Sequence, residues 1–175
     1  MNVQARLDID TPTAGDRQTA HHRLMQRLQI TGTPFRLMRH RAEGCTELVS
    51  RLRQHDLAQA AKCLVIRVGL TKRSRRYVLA VVPGDRRVDL DAVRCLAGGT
   101  KALFAQRDVA ERLAGSVSGS IIPFAFDPEL DLIVDRNLVL QDELYFNAGR
   151  LDLSMALRTA DYLALARPRI ARIAT

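Results

Sequence analysis

Lys-Cys-Leu-Val-Ile-Arg-Val (residues 62–68) and Tyr-Val-Leu-Ala-Val-Val (residues 77–82) are the two runs whose reading decides the fold. Both are rich in β-branched and apolar residues, both have strand length, and neither shows the spacing of an amphipathic helix. Between them lies Gly-Leu-Thr-Lys-Arg-Ser-Arg-Arg (69–76), a polar connection opening on glycine, so the pair predicts an antiparallel hairpin. Lys72, Arg73, Arg75 and Arg76 on its loop admit two readings, a solvated tip or a finger that contacts phosphates. Pro83-Gly84-Asp85 closes the second strand.

Working outward, Ala20, Leu24 and Leu28 fall on one face of a predicted helix over residues 16–30, ended by Gly32 and Pro34. Residues 35–40 suit a short strand, and Thr46 reads as the N-cap of a helix carrying Leu48, Val49 and Leu52. On the other side of the hairpin, Asp89 caps a helix stopped by Gly98-Gly99; a strand at 102–105 and a helix at 108–114 follow. Strands are predicted at 130–134 and 143–146 around an acidic turn, with a turn at 147–149 and a short strand near 155–157. Thr159 caps a last helix reaching residue 166, and Pro168 follows it. Short strands interspersed with short helices and hairpin-length turns predict an α+β domain, its sheet mixed but mostly antiparallel, with helices packed around it. Residues 1–15 have no periodicity and read as a loose arm, which leaves 16–175 as a single domain.

A chain of 175 residues buries roughly 70% of its extended surface without help from disulfides or metals. Cys45, Cys63 and Cys95 are odd in number and widely spaced, so they read as reduced thiols of a cytoplasmic protein. No apolar run has the length of a membrane span, and the N-terminus lacks the apolar centre of a signal peptide. A formal charge of +8 and a pI near 10.2 favour a polyanionic partner. Of the 27 basic residues only Lys62, Lys72 and Lys101 are lysine, so a position that keeps lysine can be one that needs a compact ammonium.

Most familiar chemistries find no residues here. Gly115-Ser-Val-Ser-Gly119 has Val117 where a nucleophile elbow has serine, and there is no dinucleotide fingerprint or P-loop. His21, His22, His40 and His55 have no metal-ligand spacing, and the acidic residues from Asp127 to Asp135 alternate with apolar ones as on a solvated strand face. The stretch left over is Gly-Ser-Val-Ser-Gly-Ser-Ile-Ile-Pro-Phe-Ala-Phe (115–126). Gly115 suits the left-handed end of the preceding helix, Gly119 permits a sharp turn or a close approach, and Pro123 holds Ile122 extended. A bend fixed in this way either is a structural turn or aims backbone N–H groups at a substrate oxygen.

Five segments occur in one order: Ala61-Lys62-Cys-Leu-Val, Tyr77-Val-Leu-Ala-Val-Val, Gly119-Ser-Ile-Ile-Pro123-Phe, Phe146-Asn-Ala-Gly149-Arg and Thr159-Ala-Asp-Tyr162-Leu. In that order they resemble the YbaK/ProX family, the free-standing relatives of the editing domain inserted in bacterial prolyl-tRNA synthetases. The resemblance covers about residues 20–172. It implies a partly barrel-like sheet and hydrolysis, in trans, of the ester joining a wrong amino acid to tRNA, with no cofactor, metal or enzyme nucleophile. Lys62 then matches the lysine that holds the 3′-terminal nucleotide, and Gly119 and Pro123 match the ends of the Gly-x-x-x-Pro loop. Ser118, Ser120, Ile121, Ile122, Phe124, His40 and Cys45 become the expected substrate wall, for a group the size of Ala, Ser, Thr or Cys. Lys72, Arg73, Arg75 and Arg76 become expected tRNA contacts. The implied partner is the acceptor end of aminoacyl-tRNA, with a synthetase as a further candidate and no membrane. A non-catalytic tRNA-binding or synthetase-associated module of the same fold is the alternative.

Overall fold

The structure, a computed structural model, describes residues 19–175. The expected arm at 1–15 and the first residues of the expected helix at 16–30 lie outside them. Helix α1 spans Ala20–Thr31; the Thr19 side chain accepts from the His22 amide at its start, and Gly32, at φ 63°, ends it. Strand β1, Arg36–Arg39, precedes helix α2, Thr46–Arg53. Cys45 is the N-cap of α2 in place of the expected Thr46, and its side chain makes no capping bond.

The predicted hairpin forms from β2, Ala61–Gly69, and β3, Arg75–Pro83, in a register pairing Lys62 with Val82 and Gly69 with Arg75. Helix α3, Leu90–Leu96, is capped by the Asp89 carboxylate on the Ala92 amide. Strand β4, Lys101–Phe104, pairs with β2, and helix α4, Arg107–Ala114, ends on Gly115 at φ 70° as expected. Then come β5, Leu130–Asp135, β6, Glu143–Arg150, β7, Leu153–Arg158, helix α5, Thr159–Ala166, and a strand the sequence did not reveal, β8, Arg169–Ala171.

Two sheets result. The larger has the order β4-β2-β3-β5-β8, antiparallel from β4 to β3 and parallel from β3 to β8; the smaller is the antiparallel β1-β7-β6. Neither closes on itself, which corrects the expectation of a partly barrel-like sheet. β5 and β6, expected as neighbours around a turn, belong to different sheets, because a short 3-10 turn at Leu138–Leu140 carries the chain from one to the other. The expected turn at 147–149 is the bulged end of β6: register shifts between Asn147 and Arg150, and Gly149 takes φ 78° where an added Cβ would sit 2.8 Å from the His21 amide nitrogen. Thr159 is the first residue of α5, not its cap; its hydroxyl donates to the Gln141 carbonyl across the chain.

β3 reads as an unbroken apolar run because both of its faces are covered. Tyr77, Leu79 and Val81 enter the main core with Leu24 and Leu28 of α1 and Phe146 and Met155 of the small sheet. Val78, Ala80 and Val82 face the other way, onto Val93 of α3 and onto Ile173 near the C-terminus. Burial of each such large side chain contributes about 1.5–3 kcal/mol. Among the described residues no helix is long and apolar enough to cross a membrane.

Candidate active site

The sheets meet where Ala60, entering β2, forms a parallel bridge with Tyr145 of β6. Beside that junction opens a cleft of about 210 Å³, walled by α2, the start of β2, the 115–126 loop and β6. Lys62, Gly119 and Ile121 all line it. Two segments far apart in the chain, the start of β2 and the 115–126 loop, are thereby brought to one opening.

Lys62 is the second residue of β2, so its side chain leaves the sheet at the strand mouth. Its ammonium donates to the carbonyls of Gly84 (3.2 Å) and Arg86, in the turn after β3. The turn itself packs on the segment before β2 because Gly84 has no side chain: an added Cβ would stand 2.7 Å from the Leu57 carbonyl oxygen. Burial pulls the Lys62 pKa below that of an ordinary lysine, an effect the Glu47 and Asp85 carboxylates oppose. Two carbonyls leave one of the three ammonium protons for a ligand.

Gly119 has φ 88°, and an ideal Cβ there would lie 2.8 Å from the Gly44 Cα, so the loop backs onto a second glycine segment. Its carbonyl accepts from Asn147 Nδ2 at 2.8 Å, while its N–H has no acceptor among the described residues. Asn147 also donates to the Glu43 carbonyl at 2.9 Å, and its Oδ1 accepts from Arg53 Nη2 (2.6 Å) and the Ser154 hydroxyl (2.9 Å). All four hydrogen-bonding places of this buried amide are used, so its orientation is fixed and both glycine segments are stapled to β6.

The other expected wall residues lie elsewhere. Ile122 and Phe124 are 1% and 2% exposed and point into the main core, because a bend between two sheets buries its apolar side chains. Pro123 is buried too, and its carbonyl accepts from the Tyr162 hydroxyl at 2.8 Å, with the Tyr162 ring edge-on to Phe124. Ser120 is fully buried and bonds the Val117 carbonyl, and Ser118 is exposed with its amide on the Glu111 carboxylate. Cys45 is exposed at the head of α2, its thiol toward Glu47. His40 braces the staple from behind: one ring nitrogen meets Ser154 Oγ at 2.6 Å and the other the Arg41 carbonyl at 2.7 Å. Of the expected wall, Ile121 alone lines the cleft. Cys63 also lines it, but burial pushes its thiol pKa far up, so it is not a thiolate nucleophile at neutral pH.

Lys72 and Arg73 are exposed on the hairpin loop, and Arg75 and Arg76, expected there too, are exposed at the start of β3, where Arg76 pairs with Asp131 at 3.3 Å. They stand at the far end of β2, about 23 Å from Lys62 by strand rise. Arg86 and Arg87, both exposed, occupy the turn that holds Lys62. Reading the residues in sequence misses Arg53, Asn147 and Gly44. Asn147 sits inside one of the five family-like segments, whereas Arg53 is one arginine among many and gives no signal.

Tyr162 anchors the loop from the core, which gives a direct test. Tyr162→Phe removes one buried hydrogen bond and strands the Pro123 carbonyl, a loss of about 1–3 kcal/mol. Thermal unfolding should show a lower Tm with the fold retained; an unchanged Tm would mean the bond contributes nothing.

The class to which this fold belongs is that of the aminoacyl-tRNA editing domains. A family model described as the aminoacyl-tRNA editing domain matches residues 41–165, and the chain belongs to that family, whose members are aminoacyl-tRNA deacylases. Its sequence is 40% identical over 151 residues to the multifunctional Ser/Thr-tRNA deacylase ProXp-y of Escherichia coli strain K12, covering 86% of this chain and 90% of that protein. Among solved structures, one of a hypothetical protein superposes with a TM-score of 0.76 at 20% identity, covering 87% of this chain and 99% of the other. Another, described as a candidate trans-editing enzyme for prolyl-tRNA synthetase, gives 0.74 at 19% identity, covering 91% and 99%. These two likenesses carry the fold.

Proposed function

We propose that the protein is a trans-editing hydrolase acting on released aminoacyl-tRNA that carries a wrong, small amino acid, with serine and threonine as the first candidates. The observation that carries this reading is the convergence of Lys62 and the Gly119 loop on one cleft. Lys62 holds the terminal ribose or its phosphate, and the free Gly119 N–H anchors the acyl carbonyl. Attack is by water, helped by the neighbouring ribose hydroxyl, with no covalent enzyme intermediate and no metal. At about 210 Å³ the cleft lies below the ~300–1,000 Å³ of sites that enclose drug-sized ligands, so it suits an aminoacyl group with the ribose edge at its mouth. A small second sieve is needed because one methylene gives a synthetase only about 1–3 kcal/mol of discrimination. The place of action is the cytoplasm, where charged tRNA is found, and an aminoacyl-tRNA synthetase is a candidate partner.

The test is a panel of tRNAs charged with Ser, Thr, Ala or Cys, incubated with the protein and followed for loss of the amino acid. Release of Ser and Thr is expected; release from none of the panel would favour a non-catalytic tRNA-binding module. The hairpin cations are proposed to reach phosphates away from the acceptor end. Neutralising Arg73, Arg75 and Arg76 together should flatten the salt dependence of tRNA binding, by about 0.7–0.9 in the log-log slope for each phosphate no longer neutralised. An identical slope would move the tRNA backbone to the Arg86 and Arg87 turn.

A further inference from the structure

Arg53 is a cation in the cleft wall to which neither substrate positioning by Lys62 nor anchoring by the Gly119 loop gives a role. It closes α2 and is half-buried. Its Nε donates to Ser154 Oγ at 2.7 Å and its Nη2 to Asn147 Oδ1 at 2.6 Å. Both partners are neutral, and among the described residues no carboxylate pairs with it. Burial alone brings its pKa down to about 10. A guanidinium desolvated without a counter-ion is unfavourable unless something anionic arrives to meet it. Nη1 has no protein acceptor among the described residues and is not sealed away from solvent, while Arg53 itself lines the cleft. The same Asn147 amide that fixes Arg53 fixes the Gly119 carbonyl, so guanidinium and loop are two sides of one rigid frame.

We propose that Arg53 is a catalytic residue whose free N–H groups bind the ester carbonyl oxygen as it becomes an oxyanion, opposite the Gly119 loop. The inference rests on the deacylase reading. In the step it serves, the water oxygen bonds to the ester carbonyl carbon and the carbonyl π pair moves onto oxygen, where Arg53 meets the negative charge. The pair then returns, the bond from carbon to the ribose oxygen breaks, and the ribose oxygen takes up the proton lost by water. A free amino acid and an uncharged tRNA leave. Arginine suits the role because two of its edges can be held by Ser154 and Asn147 while the third faces the substrate, which a lysine ammonium cannot reproduce.

Single-turnover and steady-state deacylation of Ser-tRNA by the wild type, Arg53→Gln and Arg53→Lys test this, with Tm measured for each. A transition-state donor predicts a fall in kcat of about 10²–10³-fold for Arg53→Gln with KM within about threefold, and a loss of at least about tenfold for Arg53→Lys. Added guanidinium ion at millimolar concentration should restore part of the rate to Arg53→Ala, which a purely structural role would not predict at unchanged Tm. An effect confined to KM, or none, overturns the proposal. If Arg53→Gln does not fold, a folded Arg53→Lys within threefold of wild type overturns it instead. A wild type inactive on every charged tRNA sinks the deacylase reading and this inference together; an active wild type with indifferent Arg53 variants sinks only the inference.

Discussion

Gly119→Ala is expected to lower deacylation by about 10²-fold or more. Two physical effects act at once. At φ 88° a side chain is strained whatever surrounds it, by roughly 1–2 kcal/mol. The new methyl would also lie 2.8 Å from the Gly44 Cα and 3.2 Å from the Gly44 carbonyl oxygen, both backbone atoms that cannot rotate aside. The loop must shift, and a displacement of about 1 Å at a substrate-positioning group is enough for a loss of that size. Gly32→Ala is the control: Gly32 also has positive φ, 63°, but nothing lies within 4 Å of its added Cβ. Both variants should lose Tm, and only Gly119→Ala should lose the rate. Equal rates in the two would detach the loop from the chemistry.

Lys62→Met should lower kcat/KM by about 10²-fold while leaving a folded protein. Methionine keeps most of the stem and removes the ammonium, so two carbonyls lose their donor, that of Arg86 at an exposed residue and that of Gly84 at a buried one. The linkage sign favours the fold surviving. A lysine whose pKa is lowered on folding binds protons less well in the native state, so near neutral pH its charge opposes folding. That penalty is relieved as pH rises through the folded-state pKa toward the unfolded value of 10.5. Activity runs the other way. If the charged form positions the substrate, the rate should fall on the alkaline side at a pH below 10.5, and that limb should vanish in Lys62→Met. Unchanged turnover at neutral pH would show that Lys62 does not hold the substrate.

The elements were mostly legible in the chain because their signals are local. Unbroken apolar, β-branched runs made β2 and β3 plain, Asp89 marked the start of α3, and Gly32 and Gly115 marked helix ends by the conformation only glycine takes easily. Local signals erred where a long-range partner takes over. Thr159 looked like a cap, yet its hydroxyl goes to Gln141; residues 147–149 looked like a turn, yet they form the bulged end of β6 against β7. β8 is three residues long and mostly exposed, with no periodicity to read; it exists because β5 offers it a parallel edge.

The site divides the same way. Lys62 and Gly119 stand out in the sequence because a rare lysine at a strand start and a glycine four residues before a proline are unusual in themselves, and the family resemblance turned them into a pair. Ile122, Phe124 and Pro123 share that loop, but which of its side chains face the cleft depends on how the bend packs against Tyr162 and Phe146, and packing puts them in the core. Arg53 and Asn147 acquire their places only through each other. Each is 94 residues from its partner, and no property of either segment alone says that the two will meet. The chain by itself determined most of the strands and the helix ends, since these follow from backbone preference and apolar spacing within a few residues, and the family resemblance singled out Lys62 and Gly119. Tertiary structure decided the walls and the buried cation, since hydrogen-bond geometry and desolvation exist only once distant segments meet.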